Sequence, residues 1–485
     1  MGPTLNKMEI AESPPKQPVL KGEAERIFEL QKDNQQNIAN STARDRKNKL
    51  DRLHNAVLKY QDEIREALYK DFRKHPSEVD LTEIYAVTSD IKHTRRHLAK
   101  WMRPKKVATP MALIGSSSHI HYEPKGVVLI ISPWNFPINL TFGPLVSAIA
   151  AGNCITIKPS EHTPHASGIM KKIIEELFEE SEVALIEGDV QVSTELMKLP
   201  FNHIFFTGAP EIGKVVMKAA AEHLTSVTLE LGGKSPTIVD ETANLEKAAH
   251  RIAFVKWMNN GQVCIAPDYV FVHERVADKF LDNVKSKIVS FYGADVSTSD
   301  SYNRIVNGKH FKRVNGYVDD ALSKGAKIAF GGNKDSQGDY FEPTIVTEIP
   351  EDSDLSTKEI FGPILPVYTY SDLQEVINKV NSKEKPLALY IYSNSNKNIK
   401  RIINNTRAGG TCVNHNAIHF FNNNLPFGGS NNSGIGKGNG FYGFEAFSNP
   451  RAVLKQWSPS NGLDFMTPPY TDFKQKLIDL TIKWF

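Results

Sequence analysis

The sequence predicts an α/β protein organised around a doubly wound parallel sheet. Two observations carry that reading. Short, nearly unbroken apolar runs recur between residues 126 and 231, as expected of strands buried on both faces. Between them lie segments whose apolar residues return every three or four positions, the helical period. Strand and helix alternate five times in this way, which describes helices covering both faces of a parallel sheet.

Taken in order, residues 1–21 contain Pro, Lys and Glu without the apolar core of a signal peptide, and read as a disordered-like tail. Leu50, Leu53, Val57, Tyr60, Ile64, Leu68 and Phe72 then predict one long amphipathic helix ending before Pro76. A second helix is expected over 81–101, stopped by Pro104. Residues 119–123 alternate like an edge strand. Strands follow at 126–132, 154–158, 183–187, 203–206 and 227–231, with helices at 144–151, 166–178, 194–199 and 212–223. From Gly232 a second α/β pattern begins, with helices at 245–259 and 373–381 and strands near Val270 and Ile345. The stretch after Phe427 is rich in Gly and Asn.

Composition narrows the function. The 485 residues suggest about three domains. A net charge of +3 is too small to imply a nucleic-acid partner. Three dispersed cysteines form no disulfide framework and fit a reducing compartment, so a cytoplasmic location is expected. The 15 histidines show no ligand spacing, and no catalytic metal is expected. No apolar run is long enough to span a bilayer. Near the end, Phe473, Leu477, Leu480 and Trp484 share a helical face beside Lys474, Lys476 and Lys483. Peripheral membrane contact is one reading of this tail. Packing against the body or a partner subunit is the preferred one for so short a segment.

The chemistry concentrates at strand ends, where parallel sheets place their ligand sites. Ser132-Pro133-Trp134-Asn135-Phe136-Pro137 is a proline-stiffened turn whose Asn135 can donate to a developing oxyanion, or satisfy its own backbone. Lys158-Pro159-Ser160-Glu161 offers groups for ribose or phosphate, or opens the next helix. Thr207-Gly208, with Gly213, allows close backbone approach to a pyrophosphate at a helix N-terminus. Glu230, embedded in an apolar strand before Gly232-Gly233-Lys234, is either a general base with a raised pKa or the partner of Lys234. Glu359 in Lys358-Glu359-Ile360-Phe361-Gly362-Pro363 is a second buried-looking acid. Cys264, in Gly261-Gln262-Val263-Cys264, reads alone either as a small buried hydrophobe or as a nucleophile whose pKa is lowered by its surroundings.

Together these motifs, in this order and with 34 positions from Glu230 to Cys264, resemble the aldehyde dehydrogenase superfamily. Cys264 followed by Ile265-Ala266-Pro267-Asp268-Tyr269 is similar to the class 3 branch, which includes fatty and aromatic aldehyde dehydrogenases. The resemblance spans roughly residues 25 to 460. It implies an aldehyde dehydrogenase-like fold: a Rossmann-type cofactor domain (22–113 and 125–231), a catalytic α/β domain (232–440), an oligomerisation element (114–124 and 441–460) and a tail (461–485). It implies Cys264 as nucleophile, Glu230 as base and Asn135 as oxyanion donor. Trp134, Lys158, Glu161, Gly208, Gly213, Glu359 and Phe361 would hold NAD, with NADP also admitted, in a homodimer. The substrate expected is a small-molecule aldehyde, medium- or long-chain aliphatic or aromatic, entering past Trp134, Trp257, Tyr85, Phe420 and Phe421. Val263 departs from the more usual Thr at its position. A CoA-acylating relative is disfavoured by Glu230, a thiol hydrolase by the lack of a His motif, and a non-catalytic scaffold by the presence of Cys264, Glu230 and Asn135 together.

Overall fold

The computed structural model describes residues 22–484. The tail expected over residues 1–21 lies outside them. Five parallel strands form the first sheet, in the order Ser226–Leu231, His203–Gly208, Val127–Ile131, Cys154–Lys158, Val183–Leu185. Every residue of Val127–Ile131 is buried. Val128 and Ile130 face one helical layer, and Val127, Leu129 and Ile131 face the other. The two-residue period of a strand therefore serves two cores, and this is why the run is apolar throughout. The chain moves outward from the central strand to Cys154–Lys158 and Val183–Leu185, then returns to pair His203–Gly208 on the other side of Val127–Ile131. That reversal opens a crevice beyond the carboxyl ends of these strands, between the 132–137 turn and Thr207-Gly208.

A second sheet of seven strands follows from Pro236–Val239 onward, parallel except for Lys327–Phe330 at one edge. A three-stranded antiparallel sheet joins Lys105–Val107, Ser116–Pro124 and Ser448–Gln456. A short strand, Gly434–Ile435, from the Gly- and Asn-rich segment pairs antiparallel with Glu230 and Leu229, closing the first sheet beside the crevice.

Several local expectations change. The long helix over residues 50–72 is two helices, Ala43–Lys59 and Gln61–Phe72, broken at Tyr60 (φ −96°, ψ 16°). Leu53, Val57, Ile64 and Leu68 stay buried across the break, so the apolar spacing hides it. The second helix opens with a single π-turn, Asp80–Ile84, before Tyr85–Trp101. Residues 119–123 lie in the strand Ser116–Pro124, which pairs along its length with Ser448–Gln456 and, through Ser118, His119 and Ile120 alone, with Lys105–Val107. The helix expected over 144–151 begins at Asn139 and carries Pro144 inside it. The tail helix Asp472–Trp484 buries none of its residues, with Phe473, Leu480, Ile482 and Trp484 exposed, so it does not pack on its own body.

Candidate active site

The turn after Val127–Ile131 buries Asn135 to 3 % exposure. Its Nδ2 donates to the carbonyl of Gln262 at 3.0 Å. One amide hydrogen is thereby anchored, and the other is left for a substrate oxygen. Trp134 packs edge-on to Phe361 (ring centroids 5.3 Å apart) and against His310 (4.8 Å).

The helix Leu245–Trp257 ends in a run that few sequences tolerate. Asn259, Asn260 and Gly261 all adopt left-handed backbone (φ 49°, 55° and 74°). Asn is among the few non-glycine residues that enter this region readily. A Cβ on Gly261 would stand 2.2 Å from the carbonyl oxygen of Gly362, so only glycine fits there. This reversal brings Cys264, half-buried, to the wall of a cavity of about 1170 Å³. Burial, followed by the charges of Glu359 and Glu230, pushes its thiol up to about 12. Burial therefore works against the lowered Cys264 pKa expected of a nucleophile, and the thiol proton must pass to a base for attack.

Glu230 projects from Ser226–Leu231 into the same cavity, 6 % exposed, and neither carboxylate oxygen has a hydrogen-bond partner among the described residues. Burial holds its pKa well above the carboxylate range, only partly opposed by Lys437. The alternative salt bridge to Lys234 is not formed. Lys234 instead pairs with Asp268 and donates to the carbonyls of Leu355 (2.9 Å) and Lys358 (2.7 Å). Glu359 lies across the cavity beside Gly232, and burial, then the Asp268 charge, pushes it up to about 7.

The cavity thus brings together Trp134, Asn135, Gly208, Glu230, Cys264, Glu359 and Phe361. Lys158, Glu161 and Gly213 lie outside its lining. Lys158, 2 % exposed, donates to the Pro159 carbonyl (2.8 Å) and to Glu161 (3.1 Å). Burial acts to raise the Glu161 pKa, but its own backbone N–H and Lys158 outweigh it and the net shift is downward. Gly208 and Gly213 are closely packed: a Cβ would meet the Phe206 ring at 2.5 Å and a Leu231 methyl at 2.8 Å, and one of the pair would have to shift. Between them the helix Pro210–Ala221 turns its N-terminus to the cavity. Such a terminus suits an anionic group.

Phe420 and Phe421 line the cavity, and Tyr85 leans on Phe421 (6.3 Å). Trp257 does not reach it. That side chain is 1 % exposed and donates to the Pro363 carbonyl at 2.9 Å, so its place in the entrance is withdrawn. Phe427, His310 and Asp90 also line the wall; no motif in the sequence marks His310 or Asp90. Lys437, near Glu230, was signalled only by its position between Gly436 and Gly438.

A sequence profile of the Aldehyde dehydrogenase family matches residues 16–453. The chain belongs to the aldehyde dehydrogenase family. It is 42% identical to 4,4'-diaponeurosporen-aldehyde dehydrogenase of Staphylococcus aureus (strain NCTC 8325 / PS 47), over 88% of this chain and 92% of that one. It is 38% identical to Aldehyde dehydrogenase family 3 member B3 of Mus musculus, over 90% of each. The solved structure described as the substrate bound state of Staphylococcus aureus AldH superposes with a TM-score of 0.90 at 40% identity, covering 94% of this chain and 99% of that one. An aldehyde dehydrogenase activity and an α/β aldehyde dehydrogenase fold follow for this member of the family. Among the described residues, no helix is long and apolar enough to cross a membrane.

Proposed function

We propose that the chain oxidises an aldehyde to the carboxylic acid through covalent attachment to Cys264. The observation that carries this is the convergence of Cys264, Asn135 and an unpartnered Glu230 on one cavity. The Cys264 sulfur attacks the carbonyl carbon as its thiol proton passes to a base. The free N–H of Asn135 and the backbone N–H of Cys264 stabilise the resulting oxyanion; one such donor is worth about 100- to 1000-fold in rate. A nicotinamide dinucleotide, when bound, supplies the hydride acceptor. The acyl group then rests on Cys264 as a thioester, and Glu230 takes a proton from the water that hydrolyses it.

The residues present fit such a cofactor. Gly208 and the helix N-terminus at Pro210 offer a pyrophosphate cradle, with Gly213 packing that helix closely on Leu231. Lys158 and Glu161 would hold the adenosine ribose, Glu359 and Phe361 the nicotinamide ribose, and Trp134 the wall beside them. A charged Glu161 favours NAD over a 2′-phosphate, with NADP still admitted. The aromatic side of the cavity, where Phe420 meets Phe427 edge-on at 4.9 Å, favours medium- or long-chain aliphatic or aromatic aldehydes.

The test is kcat/KM across aldehydes of increasing chain length, with NAD and NADP in parallel and no CoA. Rising efficiency with chain length and a preference for NAD support the reading. A preference for short hydrophilic aldehydes would remove the apolar-channel part, and dependence on CoA would remove the hydrolytic part.

A further inference from the structure

Beneath the cavity floor lies a buried polar network that the chemistry above does not use. Lys74, fully buried, donates to Glu83 Oε1 (3.1 Å) and to the main-chain carbonyl of Asn135 (3.5 Å), with its ammonium 4.6 Å from the Phe136 ring centre. Glu83, also fully buried, sits in the π-turn Asp80–Ile84, and its other oxygen accepts from the N–H of Asn139 (2.9 Å). π-turns within helices recur at functional sites, where they re-aim a side chain. One turn earlier, Glu78 accepts at Oε1 from the N–H of Asn259 (2.9 Å) and from Asn303 Nδ2 (2.8 Å). Asn259 closes the circuit: its Nδ2 donates to the carbonyls of Asn135 (2.7 Å) and Gln262 (3.2 Å).

Lys74 and Glu83 are costly to bury, Glu78 is half-buried beside them, and desolvation raises the pKa of both acids against the pull of Lys74. The contacts show what this arrangement does. Left-handed backbone at Asn259 and Asn260 costs on the order of 1 kcal/mol or more per residue, and persists only when the surroundings over-determine it. Glu78 accepts the N–H that this conformation turns inward. Lys74 and Asn259 together grip the carbonyl of Asn135, whose side-chain amide is tied to Gln262. The oxyanion donor and the turn leading to Cys264 are thus parts of one frame.

We propose that Glu78 and the Lys74–Glu83 pair are positioning residues that hold the Asn135 amide and the 259–264 turn in catalytic register. This rests on the reading of Asn135 as oxyanion donor given above. None of the three lines the cavity; they act through Asn135 and Asn259.

The experiment compares Glu78→Ala, Glu78→Gln, Asn135→Ala and the double variant Glu78→Ala/Asn135→Ala, with circular dichroism to establish folding. In Glu78→Ala, kcat should fall about 10- to 100-fold, the scale of a small misplacement, while KM for the cofactor changes less than about twofold. Glu78→Gln should recover most of the rate, because its amide oxygen accepts the same bonds. In the Asn135→Ala background, Glu78→Ala should cost less than it does in the parent, since the donor is gone and only the placement of the 259–264 turn is left to lose. Should Glu78→Ala not fold, Lys74→Met/Glu83→Gln, which removes both charges together, is measured in its place against Asn135→Ala. Full turnover in the single variant, no rescue by Gln, or an additive loss in the double variant would overturn the positioning role. Full turnover in Asn135→Ala would instead overturn the oxyanion reading on which it stands.

Discussion

A thiol held at about 12 is almost entirely protonated at neutral pH, and at Cys264 burial is the largest cause. Glu230 is raised by the same burial. Both groups must lose a proton to act, so the active form gains population as pH rises. The kcat/KM profile of this chain should therefore climb as pH rises, and Glu230→Gln, which removes one of the charges that raise the thiol, should move the Cys264 part of the rise toward acid. A flat or falling profile would contradict this account of the pair. Glu359 gives a stability prediction of definite sign. Its folded pKa of about 7 lies above the ordinary 4.5, so the stability it contributes is present below the ordinary value and lost as pH rises through 7. Glu359→Gln should be more stable than the parent at pH 8, by up to roughly 3 kcal/mol, and close to it at acid pH. Urea unfolding midpoints at the two pH values would check it. Glu230 and Cys264 were visible as residues because an acid inside an apolar strand and a scarce cysteine both stand out. Their electrostatics were not, since burial depends on the whole cavity. Trp257 misled because apolar character does not distinguish a core ring from an entrance ring.

At the scale of elements, the parallel strands were legible because each carries two apolar faces at once. The break at Tyr60 was not: an apolar stripe continues across two helices that pack on the same core. Nor was the pairing of residues 119–123 with Ser448–Gln456, because that strand lies more than 300 positions away. The turn before Cys264 was only half legible. Gly261 marks it, but Asn259 and Asn260 in left-handed backbone require the buried acceptors around them. A methyl group on Gly261 combines a disfavoured φ with a clash against the Gly362 carbonyl. Gly261→Ala should cost about 1–3 kcal/mol of stability and lower kcat at least tenfold through displacement of Cys264. Thermal unfolding and steady-state kinetics on the same preparation would show both, and an unaffected kcat would separate the turn from the chemistry.

For the whole molecule, Ser448–Gln456 is a nine-residue strand at the edge of the small sheet, mostly exposed, with Leu454 and Trp457 bare. A long open edge of this kind is a template for pairing with another chain. We propose that it pairs with a second copy, as the resemblance implied. Light scattering should then report a dimer, and Leu454→Asp should shift it toward monomer; a parent protein that is monomeric at micromolar concentration would contradict this.

The covalent route through Cys264, completed by Glu230, is tested most directly by mass spectrometry of the intact Glu230→Gln protein after mixing with cofactor and an aldehyde. One burst of NADH is expected, with an acyl adduct that maps to Cys264 and persists, because the base that would hydrolyse it is missing. NADH formation with no adduct on Cys264, or an adduct that turns over at the parent rate, would contradict it.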